Sequence, residues 1–106
     1  MACPDCGLAL MHDDFMVMLD SMRVMYGRSI IVNSGYRCAA HNTKVGGSPK
    51  SMHLVGRAAD LRVGDGRDAY QLIECAIRTG FNGIGIAKTF VHVDTRDKKT
   101  VWTYPI

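Results

Sequence analysis

Residues 51–60 read SMHLVGRAAD and place one histidine, His53, seven positions before an aspartate, Asp60. In one continuous helix these two side chains would lie about 10 Å apart along the axis, too far apart to share an ion or a proton. A turn at Gly56, where a positive φ costs little, would instead bring Asp60 back toward His53. The first geometry predicts an ordinary helix, and the second predicts a metal site.

The composition indicates one small globular domain. The chain has 106 residues, of which 47% are hydrophobic and 22% are charged, which is enough for a single core. The formal net charge is only +3, and the lysines and arginines are scattered, which argues against a dedicated nucleic-acid binder. No apolar run reaches the ~18 residues of a membrane span, and the start lacks the pattern of a signal peptide. We expect one domain, residues 1–106, that is monomeric and is made in the cytoplasm.

Hydrophobic periodicity predicts two main helices. The first covers residues 12–26 and ends at Gly27, and the second begins after the capping residue Asp65 and ends before Gly80. A short helix is expected within CAAHNTKV, residues 38–45.

Short apolar segments predict four or five strands. They are a buried strand SIIVN (29–33), AADLRV (58–63), and two or three strands within GIGIA (83–87), FVHVDT (90–95) and VWTY (101–104). Tight turns should join the last strands, one of them at residues 96–99. The predicted fold class is therefore α+β, with helices packed on an antiparallel sheet.

Alternation in FVHVDTR, residues 90–96, adds a second histidine to the candidate site. It places His92 and Asp94 on one face of a strand and two valines on the other. His53, Asp60 and His92 then offer two imidazoles and one carboxylate, a donor set that suits catalytic zinc with water in the fourth position. His12 and His41 have no acidic or histidine partner at a useful spacing, so we expect no ligand role for them.

The four cysteines form half of a zinc-ribbon signature. Cys3 and Cys6 make a C-x-x-C pair, whereas Cys38 and Cys75 are isolated. We expect the pair to be structural or idle, with a second metal site or a disulfide to Cys38 as the alternative. Cys38 and Cys75 are predicted not to be metal ligands, and Cys75 should lie on the apolar side of its helix.

Five segments resemble the zinc D-Ala-D-Ala carboxypeptidases, a family of peptidoglycan peptidases that includes phage endolysins and shares its fold with the hedgehog signalling domain. They are SGYRC (34–38), HNTKVGG (41–47), SMHLVGRAAD (51–60), GIGI (83–86) and FVHVDTR (90–96), within a similarity over about residues 12–103. The resemblance implies Zn²⁺ bound by His53, Asp60 and His92. It also implies that Arg37 holds the substrate or the developing oxyanion.

The resemblance implies hydrolysis of a D-amino-acid-containing bond in peptidoglycan stem peptides, by a carboxypeptidase or an endopeptidase. A phage or prophage lysis protein that reaches the cell wall by other means, or a wall-remodelling enzyme, is expected. The family's acidic or histidine residue just before the last ligand is absent here, so Asp94 is the candidate general base, or else it orients His92. Ser51 and Tyr36 are expected in the substrate cleft, and Trp102 in the core.

Two other functions remain open. The first is a zinc-stabilised binding module of the same fold without turnover, which the missing acidic residue favours. The second is a zinc-ribbon-like nucleic-acid adaptor built on Cys3 and Cys6, against which the absent second pair and the scattered charge both argue.

Overall fold

The structure, a computed structural model, describes residues 11–45, 47 and 51–104. The helices within these residues are α1 (Asp13–Tyr26), α2 (Ala39–Lys44) and α3 (Gly66–Thr79), with a 3₁₀ turn at Met52–Val55. The strands are β1 (Val32–Ser34), β2 (Ala58–Arg62), β3 (Gly83–Ile86), β4 (Phe90–Asp94) and β5 (Thr100–Thr103). The α+β class is confirmed, and no helix among the described residues is long and apolar enough to cross a membrane.

The helix boundaries agree with local sequence signals. Gly27 ends α1 with φ 74°, a left-handed conformation that glycine adopts without steric cost. Asp65 caps α3 by accepting a hydrogen bond from the backbone N–H of Asp68, and Gly80 ends the helix with φ 106°. Both main helices are therefore confirmed, as is the short helix α2.

One face of the sheet carries the core. The strands lie in the order β1-β2-β4-β3-β5, and α1 and α3 cover the face that holds Val91 and Val93. Both valines are completely buried. The helices contribute apolar side chains to the same cluster: Phe15, Leu19, Met22, Leu72, Cys75 and Ala76.

Two sequence expectations about the strands were wrong. The segment at residues 96–99 does not close a hairpin, because β5 pairs in parallel with β3 rather than with β4. The chain instead passes the start of β3, where the amide of Asn82 donates to the carbonyl of Arg96 at 2.9 Å. The strand expected at 29–33 begins only at Val32 and is not buried, because it forms the edge of the sheet.

The second face of the sheet holds polar residues in register. Asp60 on β2 lies opposite His92 on β4, which lies opposite Gly85 on β3, which lies opposite Trp102 on β5. A Cβ atom at Gly85 would lie 2.6 Å from Nε1 of Trp102, so the glycine gives the indole room to reach His92.

Gly83 makes similar room in the next row of the sheet. It lies opposite Asp94, and a Cβ atom there would overlap Oδ1 of Asp94 and lie 2.5 Å from Nε of Arg96. The alternation Gly-Ile-Gly-Ile therefore places glycines on the polar face, and Ile84 joins the core on the other face.

We expect Gly83→Ala to destabilise the fold by about 1–3 kcal/mol, the usual cost of forcing a methyl group into a packed site. Gly66→Ala is the matched control, because a Cβ atom there meets nothing within 4 Å and alanine is the better helix former. Urea denaturation of both variants measures the difference. Equal stabilities would show that the Asp94 side chain yields without cost.

Candidate metal centre

Residues 51–60 turn at Gly56, the geometry that brings Asp60 back toward His53. Ser51 caps the 3₁₀ turn by accepting a hydrogen bond from the backbone N–H of His53, at 3.2 Å. Gly56 ends the turn with φ 69°, and the chain then enters β2. As a result, Nε2 of His53 lies 3.2 Å from Oδ1 of Asp60. His53 is thus carried by a helical turn rather than by an open loop.

His53, Asp60 and His92 form one compact group. Nδ1 of His92 lies 2.9 Å from the same Oδ1 of Asp60, and one donor atom from each residue lies within 4.8 Å of the others. All three side chains are buried, with exposed fractions of 2% for His53, 7% for Asp60 and 5% for His92. The structure therefore brings together all three predicted ligands.

Hydrogen bonds on the far side of each ring orient the two histidines. Nδ1 of His53 lies 2.6 Å from the carbonyl oxygen of Gly35, and Nε2 of His92 lies 2.7 Å from Oδ2 of Asp94. Carbonyl and carboxylate oxygens only accept hydrogen bonds, so these two nitrogens carry the protons. The lone pairs of the other two nitrogens then point toward Oδ1 of Asp60. Three electron-rich atoms that converge in this way are stabilised by a shared cation.

The titration behaviour reflects this convergence. Burial opposes ionisation of Asp60, but the imidazoles of His53 and His92, which donate to its oxygen when they are protonated, outweigh it and hold the pKa of the carboxyl below its ordinary value. Burial alone would lower the pKa of His92, yet the contacts with Asp60 and Asp94 raise it above its ordinary value. The group therefore favours separated charges, an anionic carboxylate beside a positive species.

Asp94 lies behind His92 rather than in the open cleft. Its side chain is completely buried and is absent from the described residues that line the cavity at this face. Arg96 donates to both carboxylate oxygens of Asp94, with Nε 2.9 Å from Oδ1 and Nη2 2.7 Å from Oδ2. Although burial opposes it, these bonds and the one from His92 lower the pKa of Asp94. The contacts favour the interpretation that Asp94 orients His92, while its role as general base stays a prediction.

Arg37 lies on the other side of the group. Its Nη2 donates to Oδ2 of Asp60 at 3.0 Å, its Nε donates to Oγ of Ser34 at 3.1 Å, and its Nη1 donates to Oδ1 of Asn42 at 3.3 Å. The arginine therefore holds the one carboxylate oxygen of Asp60 that does not face the histidines. It also lines the cavity, so a role toward the substrate stays a prediction.

A cavity of about 760 Å³ opens over the group. Ser51 lies in its wall as expected, whereas Tyr36 is half-buried and is not among the described residues that line it. Trp102 was wrongly expected in the core: its indole lines the cavity, with ring centroids 5.1 Å from His92. Other described lining residues are Val45, Gly47, Met52, Phe90, Arg96 and Tyr104.

Sequence reasoning missed Arg96 and Tyr104. Both follow the last ligand in the chain, where they were interpreted as part of a turn and of a short strand. The usable signal was the spacing of Trp102 in β5 and Tyr104 just after it, which alternation places on the same side of the sheet, with the exposed Val101 on the opposite side.

The cysteines of the described residues stand apart from this group. Cys75 is buried in the core as expected, and burial raises the pKa of its thiol, which disfavours the thiolate that a metal requires. Cys38 is half-buried and does not belong to the His-Asp-His group. Cys3 and Cys6 lie outside the described residues.

Comparisons with known proteins agree with this geometry. The model of the Peptidase M15 family matches residues 6–94, which include His53, Asp60 and His92. A zinc D-Ala-D-Ala carboxypeptidase of Streptomyces albus G is 39% identical over 67 residues, which are 62% of this chain and 26% of that relative. The match thus spans about a quarter of the relative's length. Because the family model covers most of the chain, this chain belongs to the Peptidase M15 family.

Proposed function

We propose that the chain is a zinc-dependent peptidase that hydrolyses a D-amino-acid-containing peptide bond of bacterial peptidoglycan. The observation that carries the proposal is the convergence of three buried donor atoms, from His53, Asp60 and His92, beneath an open cavity. Membership of a peptidase family supports the reaction class, and the name of the Streptomyces relative supports both zinc and the D-Ala-D-Ala substrate.

The donor set fits zinc. Two neutral imidazoles and one carboxylate are common zinc ligands, and three protein ligands leave a fourth position for water. Zinc in such a site lowers the pKa of bound water toward ~7 and polarises a peptide carbonyl. The cavity above the three ligands provides the room that a peptide needs.

The residues around the ligands hold them in place for this chemistry. The Gly35 carbonyl orients the ring of His53, and the Asp94 carboxylate orients the ring of His92. Arg37 keeps Oδ1 of Asp60 turned toward the histidines by binding its Oδ2. Such partners of metal ligands typically change metal affinity or activity by about 10–100-fold when removed.

A binding module without turnover is the second candidate. Apart from Asp60, no carboxylate is found among the described residues that line the cavity, because Asp94 is completely buried behind His92. A hydrolytic site usually needs a base that takes a proton from water and returns it to the leaving amine. Under this alternative the zinc site stabilises the fold and the cavity only binds peptide.

The cellular role belongs to the proposal as well. Peptidoglycan stem peptides lie outside the cytoplasmic membrane, so the protein would act at the cell wall, in phage or prophage lysis or in wall remodelling. Mass spectrometry of digested peptidoglycan identifies the bond that is cut and separates a carboxypeptidase, which releases one amino acid, from an endopeptidase, which releases larger fragments.

The first prediction tests metal and activity together. Protein purified without chelator should hold one zinc ion per chain and release fragments from muropeptides. His53→Ala should lose both, because one of three ligands is gone, and His12→Ala should lose neither. Elemental analysis and mass spectrometry on the same samples give the answer. Zinc-loaded wild-type protein that binds muropeptides without cleaving them would favour the binding module.

The second prediction separates the two roles of Asp94. If it orients His92, Asp94→Asn should weaken zinc affinity by about 10–100-fold, and added zinc should restore much of the turnover. If it is the base, turnover should fall by about 10²–10⁴-fold with zinc affinity unchanged. Competition with a zinc chelator and muropeptide assays distinguish these outcomes, with exposed Asp97→Asn as the control.

The third prediction concerns Arg37. We expect Arg37→Ala to lower kcat/KM by about 10²–10³-fold, the loss typical of one oxyanion donor, in protein kept saturated with zinc. Arg23→Ala, on the exposed face of α1, is the control. If zinc-saturated Arg37→Ala instead has the activity of the wild type, Arg37 serves only to hold Asp60.

A further inference from the structure

Among the described residues that line the cavity are two arginines, and they differ in how many guanidinium nitrogens already donate to the protein. Every guanidinium nitrogen of Arg37 already has an acceptor, in Ser34, Asn42 or Asp60, and its side chain is only 14% exposed. Arg37 is thereby tied to the protein. Because Nη1 and Nη2 each carry a second N–H, Arg37 keeps some hydrogen-bonding capacity, but an anionic substrate group would have to share its guanidinium with a metal ligand.

Arg96 is only partly tied. Its Nε and Nη2 donate to Asp94, whereas its Nη1 donates to no residue that the structure describes. The side chain is 34% exposed and lines the cavity. The Nε and Nη2 edge of the guanidinium therefore holds Asp94, and Nη1 remains available to a hydrogen-bond acceptor on a bound ligand.

The position of Arg96 is well defined. Its guanidinium lies over the indole of Trp102, 4.3 Å from the ring centroid, and cation–π contact of this kind fixes the plane of an arginine. The same indole contacts His92. The guanidinium of Arg96, with its free Nη1, is therefore held near His92, and a substrate group that binds it costs little further side-chain entropy.

The charge of the cavity favours an anionic ligand. Its described lining includes Arg37 and Arg96 against the single carboxylate of Asp60, and a bound divalent cation would add two positive charges. A cleft lined by one sign of charge attracts ligands of the opposite sign. Guanidinium groups match the geometry of carboxylates, which are the anionic groups that a peptide carries.

We propose that Arg96 binds a carboxylate of the peptide substrate, with its plane fixed by Trp102, and so makes the cleft selective for peptides that carry an acid beside the bond to be cut. The inference rests on the proposed peptidase function and adds a specificity residue to it.

Two carboxylates of a stem peptide could supply the acid: the C-terminal carboxylate or the α-carboxylate of D-glutamate. The probes are the pentapeptide L-Ala-γ-D-Glu-L-Lys-D-Ala-D-Ala and two versions amidated at one or the other position. Trp102 is the only tryptophan of the chain, so its fluorescence reports ligands in this cavity independently of turnover. Binding to the zinc-loaded protein is read before significant cleavage, and initial rates are measured in parallel.

Amidation of the recognised carboxylate should weaken binding to the wild-type protein by about 10- to 100-fold, the range expected for one hydrogen bond between charged groups. Arg96→Gln should bind that amide and the free acid equally well. Arg78→Gln, with the same loss of charge on an exposed face of α3, should keep the wild-type preference. If Arg96→Gln does not fold, Arg96→Lys tests the same point with a smaller loss of preference.

Three results would overturn the inference: no acid preference in the wild type, a full preference retained in Arg96→Gln, or an equal loss of affinity for acid and amides. The last would mean that Arg96 acts only by supporting Asp94. Because acid and amide are compared on one sample, a change in zinc content cannot imitate the effect. Wild-type protein that neither binds nor cleaves any of the three peptides would refute the proposed function itself, whereas equal binding and cleavage of all three refutes the inference alone.

Discussion

The antiparallel register that sets Asp60 opposite His92 is the constraint on which the site depends. A shift of one residue would turn one of the two side chains into the helix-covered core, because strand side chains alternate between faces. The apolar residues that follow Asp60 or flank His92 along their strands, Leu61, Val91 and Val93, are completely buried, and their burial specifies the register. The hydrophobic core thus positions the polar site without contributing any residue to it.

The same register extends across the sheet and sets a residue without a side chain between two large ones. Asp60 and His92 are followed by Gly85, which has no side chain, and then by Trp102, whose indole occupies the space above the glycine. Gly83 makes the same room for Asp94, which is completely buried, and for the partly exposed Arg96. The glycines of β3 are therefore part of the site, although they present no chemical group to it.

Local signals were sufficient for much of this structure. The caps of α1 and α3, the turn at Gly56 and the alternation in β4 could all be predicted, because each depends on a few neighbouring residues. The position of β5 beside β3 could not, since strand order depends on which edges remain unpaired after the earlier strands have assembled. Trp102 was misplaced because alternation alone does not tell which face of the sheet an indole in β5 lies on. The second hydrogen bond of Asp94, to Arg96, likewise depends on a bend that alternation does not encode.

Separation of the two sheet faces has an evolutionary consequence. The side chains that carry chemistry lie on one face, and the helices that bury the apolar core lie on the other. Substitutions of the metal-ligand residues on the polar face therefore leave the residues of the apolar core unchanged. The two faces can thus diverge at different rates, the polar face under selection for its chemistry and the apolar face under selection for folding.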